Sequence, residues 1–110
     1  MPEKRLQQLL QLLAESPDDA FLLFALAKEE EKLGRPEKAL ARFLELREKR
    51  PDYTGLYYHL GKLYEDQQQP AAAWEAYSTG MEVARRAGDQ HALSELAGAR
   101  LNLGDEDDFS

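Results

Sequence analysis

The amino-acid sequence predicts an all-α fold of stacked helical hairpins, and three observations carry that prediction. Helix-forming residues dominate the composition, whereas valine occurs once and isoleucine does not occur, so strands are not expected. Apolar residues recur at the three- and four-residue spacing of an amphipathic helix. A set of residues also repeats after 34 positions: Pro17, Leu26, Ala27, Pro36, Ala39 and Phe43 recur as Pro51, Leu60, Gly61, Pro70, Ala73 and Tyr77. Such a period is typical of helical-hairpin repeats.

The first three helices are predicted over residues 3–14, 19–33 and 36–49. The first has one apolar face formed by four leucines, Leu6, Leu9, Leu10 and Leu13. Pro17 ends this helix because the residue before a proline disfavours the helical conformation. Asp18 or Asp19 is then expected to cap the second helix. Gly34 can end the second helix in the left-handed conformation, and Pro36 suits the first turn of the third.

The last three helices are predicted over residues 53–66, 70–87 and 90–103. Pro51 restarts the pattern one period after Pro17, Pro70 repeats the role of Pro36, and Gly88 breaks the fifth helix. Small residues stand at matching places in three successive repeats, where we expect helices to approach most closely: Ala27, Gly61 and Ala97.

Composition and charge narrow the function. The net charge is -7, and all of the acidic excess lies beyond residue 50, so no basic stripe is available for nucleic acid. No apolar run approaches the roughly 18 residues of a membrane span. The lack of cysteine removes disulfides and thiolate chemistry and fits a cytoplasmic location.

Residues 1–104 are predicted to form one domain and residues 105–110 a disordered acidic tail. A docking role for Phe109 in this tail is the less favoured interpretation.

Enzymatic activity, a cofactor and a metal site are not predicted. His59 and His91 are the only histidines, and Glu95 follows His91 by one helical turn. These residue types suit zinc, but two unlinked histidines and an intrahelical ion pair are the simpler interpretation. The sequence contains neither a nucleophile elbow nor a glycine-rich phosphate loop.

The repeated residues resemble the tetratricopeptide repeat family, in particular its small bacterial members. The second repeat carries the family pattern most fully, with Tyr57, Leu60, Gly61, Tyr64, Ala73, Tyr77 and Gly80. The first repeat has Glu30 where the family has tyrosine, and the third has Arg100 there. The resemblance covers residues 3–104 and implies a right-handed superhelical solenoid of antiparallel hairpins, with two full repeats flanked by half repeats.

The resemblance also implies that the first helix of each pair lines a concave groove, which would bind a peptide or a partner helix. The candidate groove residues are Phe21, Phe24, Lys28, Tyr58, His59, Lys62, Glu65, His91 and Glu95. Phe24 and Tyr58 hold equivalent positions and are expected to anchor an apolar side chain of the partner. Lys28 and Lys62 are likewise equivalent and are expected to meet a carboxylate. In the alternative interpretation, Phe21 and Phe24 pack on the first helix and the lysines are solvated.

The sequence also raises two further possible functions, carboxylate binding and self-association. Some family members grip the terminal carboxylates of chaperones, but only one lysine matches that arrangement here and Glu95 would repel a carboxylate. The stronger alternative is a self-associating scaffold, a homodimer or an end-to-end assembly through the terminal helices. A solenoid exposes apolar residues at its ends unless a capping helix covers them. The sequence does not identify the protein partner.

Overall fold

The structure, a computed structural model, describes residues 3–109. Its helices are α1 Lys4–Glu15, α2 Ala20–Lys32, α3 Pro36–Lys49, α4 Gly55–Asp66, α5 Pro70–Ala87, α6 Gln90–Leu103 and α7 Glu106–Phe109. No strand occurs within this part of the chain, and the predicted all-α class is confirmed. The six long helices begin and end within two residues of the bounds expected from the sequence.

The helices form two compact units, the first ending at Tyr53 and the second beginning at Thr54. In the first unit, α2 packs on α3 and α1 packs on α2. In the second, α5 packs on both α4 and α6, and α4 also contacts α6. The turns that join α2 to α3 and α4 to α5 are three residues long, so the two helices of each pair run antiparallel. Each unit therefore holds one complete hairpin with a flanking helix. That residues 1–104 form a single domain stays a prediction.

Local sequence sets the helix ends. The side chain of Asp19 accepts a hydrogen bond from the N–H of Leu22 at 3.0 Å, so Asp19 rather than Asp18 caps α2. Pro36 and Pro70 lie in the first turns of α3 and α5, where a proline leaves no helical hydrogen bond unmade. Asp19 thus fixes where α2 begins, and the two prolines fix where the second helix of each hairpin begins.

The turn within each hairpin contains a residue in the left-handed conformation. In the first hairpin this residue is Gly34, with φ of +73°. The residue 34 positions later is Gln68, which adopts φ of +62°. Glycine suits this conformation because it has no Cβ atom to crowd the backbone. The repeat pattern predicts the role of Gly34, whereas nothing in the sequence marks Gln68.

The expected close approach of paired helices is clearest in the second hairpin. A Cβ atom added at Gly61 would overlap the ring of Tyr77, so only glycine fits there. At the matching places of the first hairpin, Ala27 and Phe43 are both fully buried. Ala97, at the matching place of the third repeat, is half-buried, and a close approach of helices there stays a prediction.

The acidic tail differs from the expectation of disorder. Residues Glu106–Phe109 form one helical turn, and the ring of Phe109 stacks on that of Trp74 with centroids 4.7 Å apart. A four-residue helix has no stability of its own, so this aromatic contact accounts for its order. The sequence-based expectation rested on the charge of the tail and gave its aromatic residue too little weight. Ser110, like Met1 and Pro2, lies outside the described residues.

Candidate functional site

The first unit has an open depression of about 600 Å³ beside α2. It is lined by one residue of α1 and seven of α2: Arg5, Phe21, Phe24, Ala25, Lys28, Glu29, Glu31 and Lys32. We call this surface the α2 depression. It brings together three residues that the repeat pattern predicts for a partner site, Phe21, Phe24 and Lys28.

The two phenylalanines of the α2 depression have different surroundings. Phe24 is half-buried, with its ring centroid 6.0 Å from that of Phe43 and 5.5 Å from that of Tyr53. Phe21 is 65% exposed. Phe24 therefore packs against its own unit and still reaches the depression, whereas Phe21 offers most of its ring to solvent. Exposed aromatic rings of this kind are common where a protein binds a partner.

The charged residues of the α2 depression form pairs along its edge. Arg5 Nε lies 3.3 Å from Glu29 Oε1, and Lys28 Nζ lies 3.6 Å from Glu31 Oε1. Lys32 adds a third cation, so cations outnumber carboxylates by three to two. The lysine expected to meet a partner's carboxylate is thus already paired on its own helix. The Lys28 side chain is 42% exposed, and an ion pair at this distance contributes little to stability.

In the second unit, four of the predicted residues lie in a cluster on α4. The Tyr58 ring centroid is 5.7 Å from that of His59, and Lys62 Nζ lies 5.5 Å from the centre of the Tyr58 ring. Lys62 Nζ is also 3.9 Å from Glu65 Oε2. Tyr58 is half-buried, and its ring centroid lies 6.4 Å from that of Tyr77. We call Tyr58, His59, Lys62 and Glu65 the α4 cluster.

Glu65 has a partner inside its own hairpin. The hydroxyl of Tyr77 donates a hydrogen bond to Glu65 Oε2. Burial raises the pKa of Tyr77 far above the usual value for a phenol, and the hydrogen bond to Glu65 raises it further. Tyr77 therefore stays protonated and donating at neutral pH. Glu65, which the repeat pattern predicts for partner binding, ties α4 to α5.

The remaining predicted residues, His91 and Glu95, lie exposed on α6. Within residues 3–109, no group of three or more histidines, aspartates or glutamates is placed to hold a metal ion. His59, His91 and Glu95 are therefore not assembled as a metal site. In this same part of the chain, no helix has the combination of length and apolar character that crossing a membrane would require.

Several residues of the α2 depression are not predicted by the repeat pattern. Arg5 belongs to a different helix, so its approach to Glu29 depends on how α1 packs on α2. Glu29 is only 7% exposed. From its charge alone we would expect this side chain to lie on the surface. The only sequence signal that could have indicated a role for Arg5 was its basic character on the polar face of α1.

The fold and these surfaces define the chain as a helical-hairpin repeat protein. The tetratricopeptide repeat domain protein of Salinibacter ruber is 49% identical in its crystal structure, with a TM-score of 0.75 over 77% of this chain and 96% of that one. Its solution structure also has a TM-score of 0.75, over 79% of this chain and 88% of that one. The chain therefore belongs to the tetratricopeptide repeat family.

Two other structures share the fold. A protein of Bordetella parapertussis is 28% identical, with a TM-score of 0.77 over 89% of this chain and 85% of that one. The type III secretion translocator chaperone SycD of Yersinia enterocolitica is 10% identical, with a TM-score of 0.83 over 93% of this chain and 71% of that one. At that identity the likeness concerns the fold alone. No family model matches the sequence, and no curated protein matches it.

Proposed function

We propose that this chain is a non-catalytic adaptor that binds a peptide segment or a partner helix in the concave groove implied by its family. Membership in the tetratricopeptide repeat family supports a protein-interaction role in general. The observation that carries the finer proposal is the α2 depression, where an exposed ring, Phe21, stands beside a fixed one, Phe24. Exposed aromatic anchors near a rigid floor supply much of the binding energy in peptide recognition.

The chemistry of the partner follows from the lining of the depression. An apolar side chain would cover Phe21 and contact the part of Phe24 that lines the depression. Acidic neighbours of that side chain would meet the cationic excess provided by Arg5, Lys28 and Lys32. The α4 cluster would supply equivalent contacts, because its tyrosine and lysine repeat the phenylalanine and lysine of α2 after 34 residues.

The test uses peptides of about 12 residues selected by display on the wild-type chain, a length that suits groove recognition. We expect Phe21→Ala to weaken binding of a selected peptide about tenfold or more, as truncation of an interface anchor does. Phe21 is the better choice than Phe24 or Tyr58, because its exposed ring can be removed without opening a cavity.

The matched control is Leu101→Ala, which truncates a 75% exposed apolar side chain on α6. This variant should bind the same peptide as the wild-type chain does. Calorimetry measures both affinities, and circular dichroism checks that helicity is retained. If Phe21→Ala binds as tightly as wild type, the α2 depression is not the peptide site.

A second candidate function, self-association through the terminal helices, is favoured by two exposed leucines. Leu12 on α1 is 50% exposed and lines an open depression on that helix, and Leu101 on α6 is 75% exposed. Uncovered apolar side chains at both ends would suit a homodimer or an end-to-end assembly. Light scattering should then show a mass that rises with concentration, and Leu12→Arg with Leu101→Arg should restore the monomer. A constant monomeric mass rejects this candidate.

A further inference from the structure

The exposed side of the second unit carries an aromatic and cationic site that the proposed function does not use. The Phe109 ring stacks on Trp74 with an interplanar angle of 15°. The guanidinium carbon of Arg100 lies 4.7 Å from the centre of the Trp74 ring, and Arg100 Nη1 donates a hydrogen bond to Ser78 Oγ at 3.0 Å. Trp74, Ser78 and Arg100 are called the Trp74 site. The hydrogen bond to Ser78 fixes the cation over the indole ring.

The tail that occupies this site is arranged as a docked peptide would be. Its polar groups bond within the tail itself. The N–H of Asp105 donates to Asp108 Oδ2 at 2.9 Å, and the N–H of Asp107 donates to Asp105 Oδ1 at 3.0 Å. The four acidic residues from Asp105 to Asp108 are exposed, whereas Phe109 is half-buried against Trp74. The aromatic anchor therefore attaches a self-contained acidic turn to the folded unit.

We propose that the Trp74 site is a binding surface for an acidic partner peptide with an aromatic residue, and that the chain's own tail competes for it. The occupant seen in the structure shows the recognised feature, which is a ring stacked on the indole, and the four residues before that ring are acidic. Arg100 supplies the complementary charge. This site lies outside the α2 depression and does not depend on the groove proposal.

The strength of the tail contact suits competition. A single stacked aromatic pair shifts an equilibrium by roughly 2- to 13-fold. A contact of this strength is reversible, so the site opens for a measurable fraction of the time. A partner peptide with the same anchor and additional contacts can displace the tail, and its apparent affinity is reduced by the fraction of closed sites.

Trp74 is the only tryptophan, so its fluorescence reports on this site alone. The probe is a synthetic peptide with the sequence of residues 104–110, titrated to about 10 mM because a tail on a short linker has an effective concentration in the millimolar range. We expect saturable binding to the full-length Phe109→Ala chain, with Trp74 emission returning toward that of wild type. The wild-type chain should bind the probe at least about threefold more weakly, since its own tail competes.

Three controls separate the Trp74 site from other surfaces. The same peptide with alanine in place of its phenylalanine should not bind. Adding Arg100→Gln to the Phe109→Ala chain should weaken binding about threefold or more, because the cation is lost. Adding Phe21→Ala to the Phe109→Ala chain should leave the affinity unchanged. Loss of binding in this last variant would place the peptide on the α2 depression and overturn the proposal.

Three other outcomes also overturn the proposal. One is the absence of any emission change in the Phe109→Ala chain across the titration. Another is equal affinity of the wild-type and Phe109→Ala chains for the probe, since a site filled by the tail must discriminate between them. The third is a wild-type mass that doubles with concentration while Phe109→Ala stays monomeric, which would assign the site to the tail of a second copy.

Discussion

The hairpins α2–α3 and α4–α5 are related by a shift of 34 residues, yet they are closed by different contacts. In the second hairpin, Gly61 leaves space for the ring of Tyr77. That space lets the ring lie close to α4, where the Tyr77 hydroxyl donates a hydrogen bond to Glu65. The hydrogen bond between Tyr77 and Glu65 thus depends on the space that Gly61 leaves for the ring.

The first hairpin has Ala27, Phe43 and Glu31 at the corresponding positions. Its buried ring carries no hydroxyl, and Glu31 Oε1 is buried with no hydrogen-bond partner. Lys28 Nζ, at 3.6 Å, is a weak substitute. Glu31 also lines the α2 depression. The comparison teaches that equivalent carboxylates can have different partners. Glu65 accepts a hydrogen bond from Tyr77 across its hairpin, whereas Glu31, whose hairpin has Phe43 in place of that tyrosine, pairs with Lys28 on its own helix.

The largest expected effect comes from removing the space that distinguishes the second hairpin. Gly61→Ala should lower the free energy of unfolding by about 2–3 kcal/mol, because the new Cβ atom overlaps a buried ring. This loss should outweigh the gain of about 1 kcal/mol in helix propensity. Urea unfolding followed by circular dichroism measures the change.

The matched substitution in the first hairpin is Ala27→Gly, which should cost about 1 kcal/mol through helix propensity. A stabilised Gly61→Ala variant would mean that the ring of Tyr77 moves aside freely. The two hairpins would then not differ in the way described.

The next effect concerns the hydroxyl that the first hairpin lacks. Tyr77→Phe should lower the free energy of unfolding by about 1.5 kcal/mol, the usual loss for a hydrogen bond to a charged group. The raised pKa of Tyr77 also predicts a pH dependence. Its stabilising contribution is complete below about pH 10, where the unfolded tyrosine is still protonated, and is lost as the pH rises further.

Urea unfolding at several pH values tests this second prediction. The wild-type chain should lose stability above about pH 10 more steeply than Tyr77→Phe, since the other tyrosines and the lysines are common to both. Parallel pH profiles would show that the Tyr77 hydroxyl ionises as readily in the folded chain as in the unfolded one.

The helices could be predicted from the sequence because their ends are set locally. Proline in a first turn, aspartate at a cap and glycine after a last turn act through residues a few positions away. The shared position of Phe21, Phe24 and Lys28 along one side of α2 also follows from the repeat. These features need no knowledge of distant contacts. That Phe21, Phe24 and Lys28 bind a partner stays a prediction.

The remaining features depend on contacts between helices, which the repeat pattern does not contain. Arg5 reaches the α2 depression only because α1 packs on α2. Phe109 is ordered because Trp74 lies within reach, although the charge of the tail favours disorder. The role of Glu65 depends on a tyrosine 12 residues away, on the facing helix.

The smallest effect comes from the turns. Gln68→Gly should raise the free energy of unfolding by about 0.5–1 kcal/mol, because glycine adopts the left-handed conformation with less strain. Gly34→Gln should lower it by a similar amount, since a side chain there meets no neighbouring atom and only the backbone is affected. Thermal unfolding measures both variants. If glycine is the more stable residue in both turns, the two turns are equivalent in backbone conformation. A turn in which glutamine is the more stable residue would contradict that equivalence.

The pattern of helix packing has a consequence for synthesis of the chain. Within each unit, the main contacts join helices that are neighbours or next neighbours along the sequence. The loops that must close are therefore short, which favours fast folding. The first unit has all its helices once Tyr53 has been added. The α2–α3 hairpin of this unit can therefore begin to form while the ribosome is still translating the second unit.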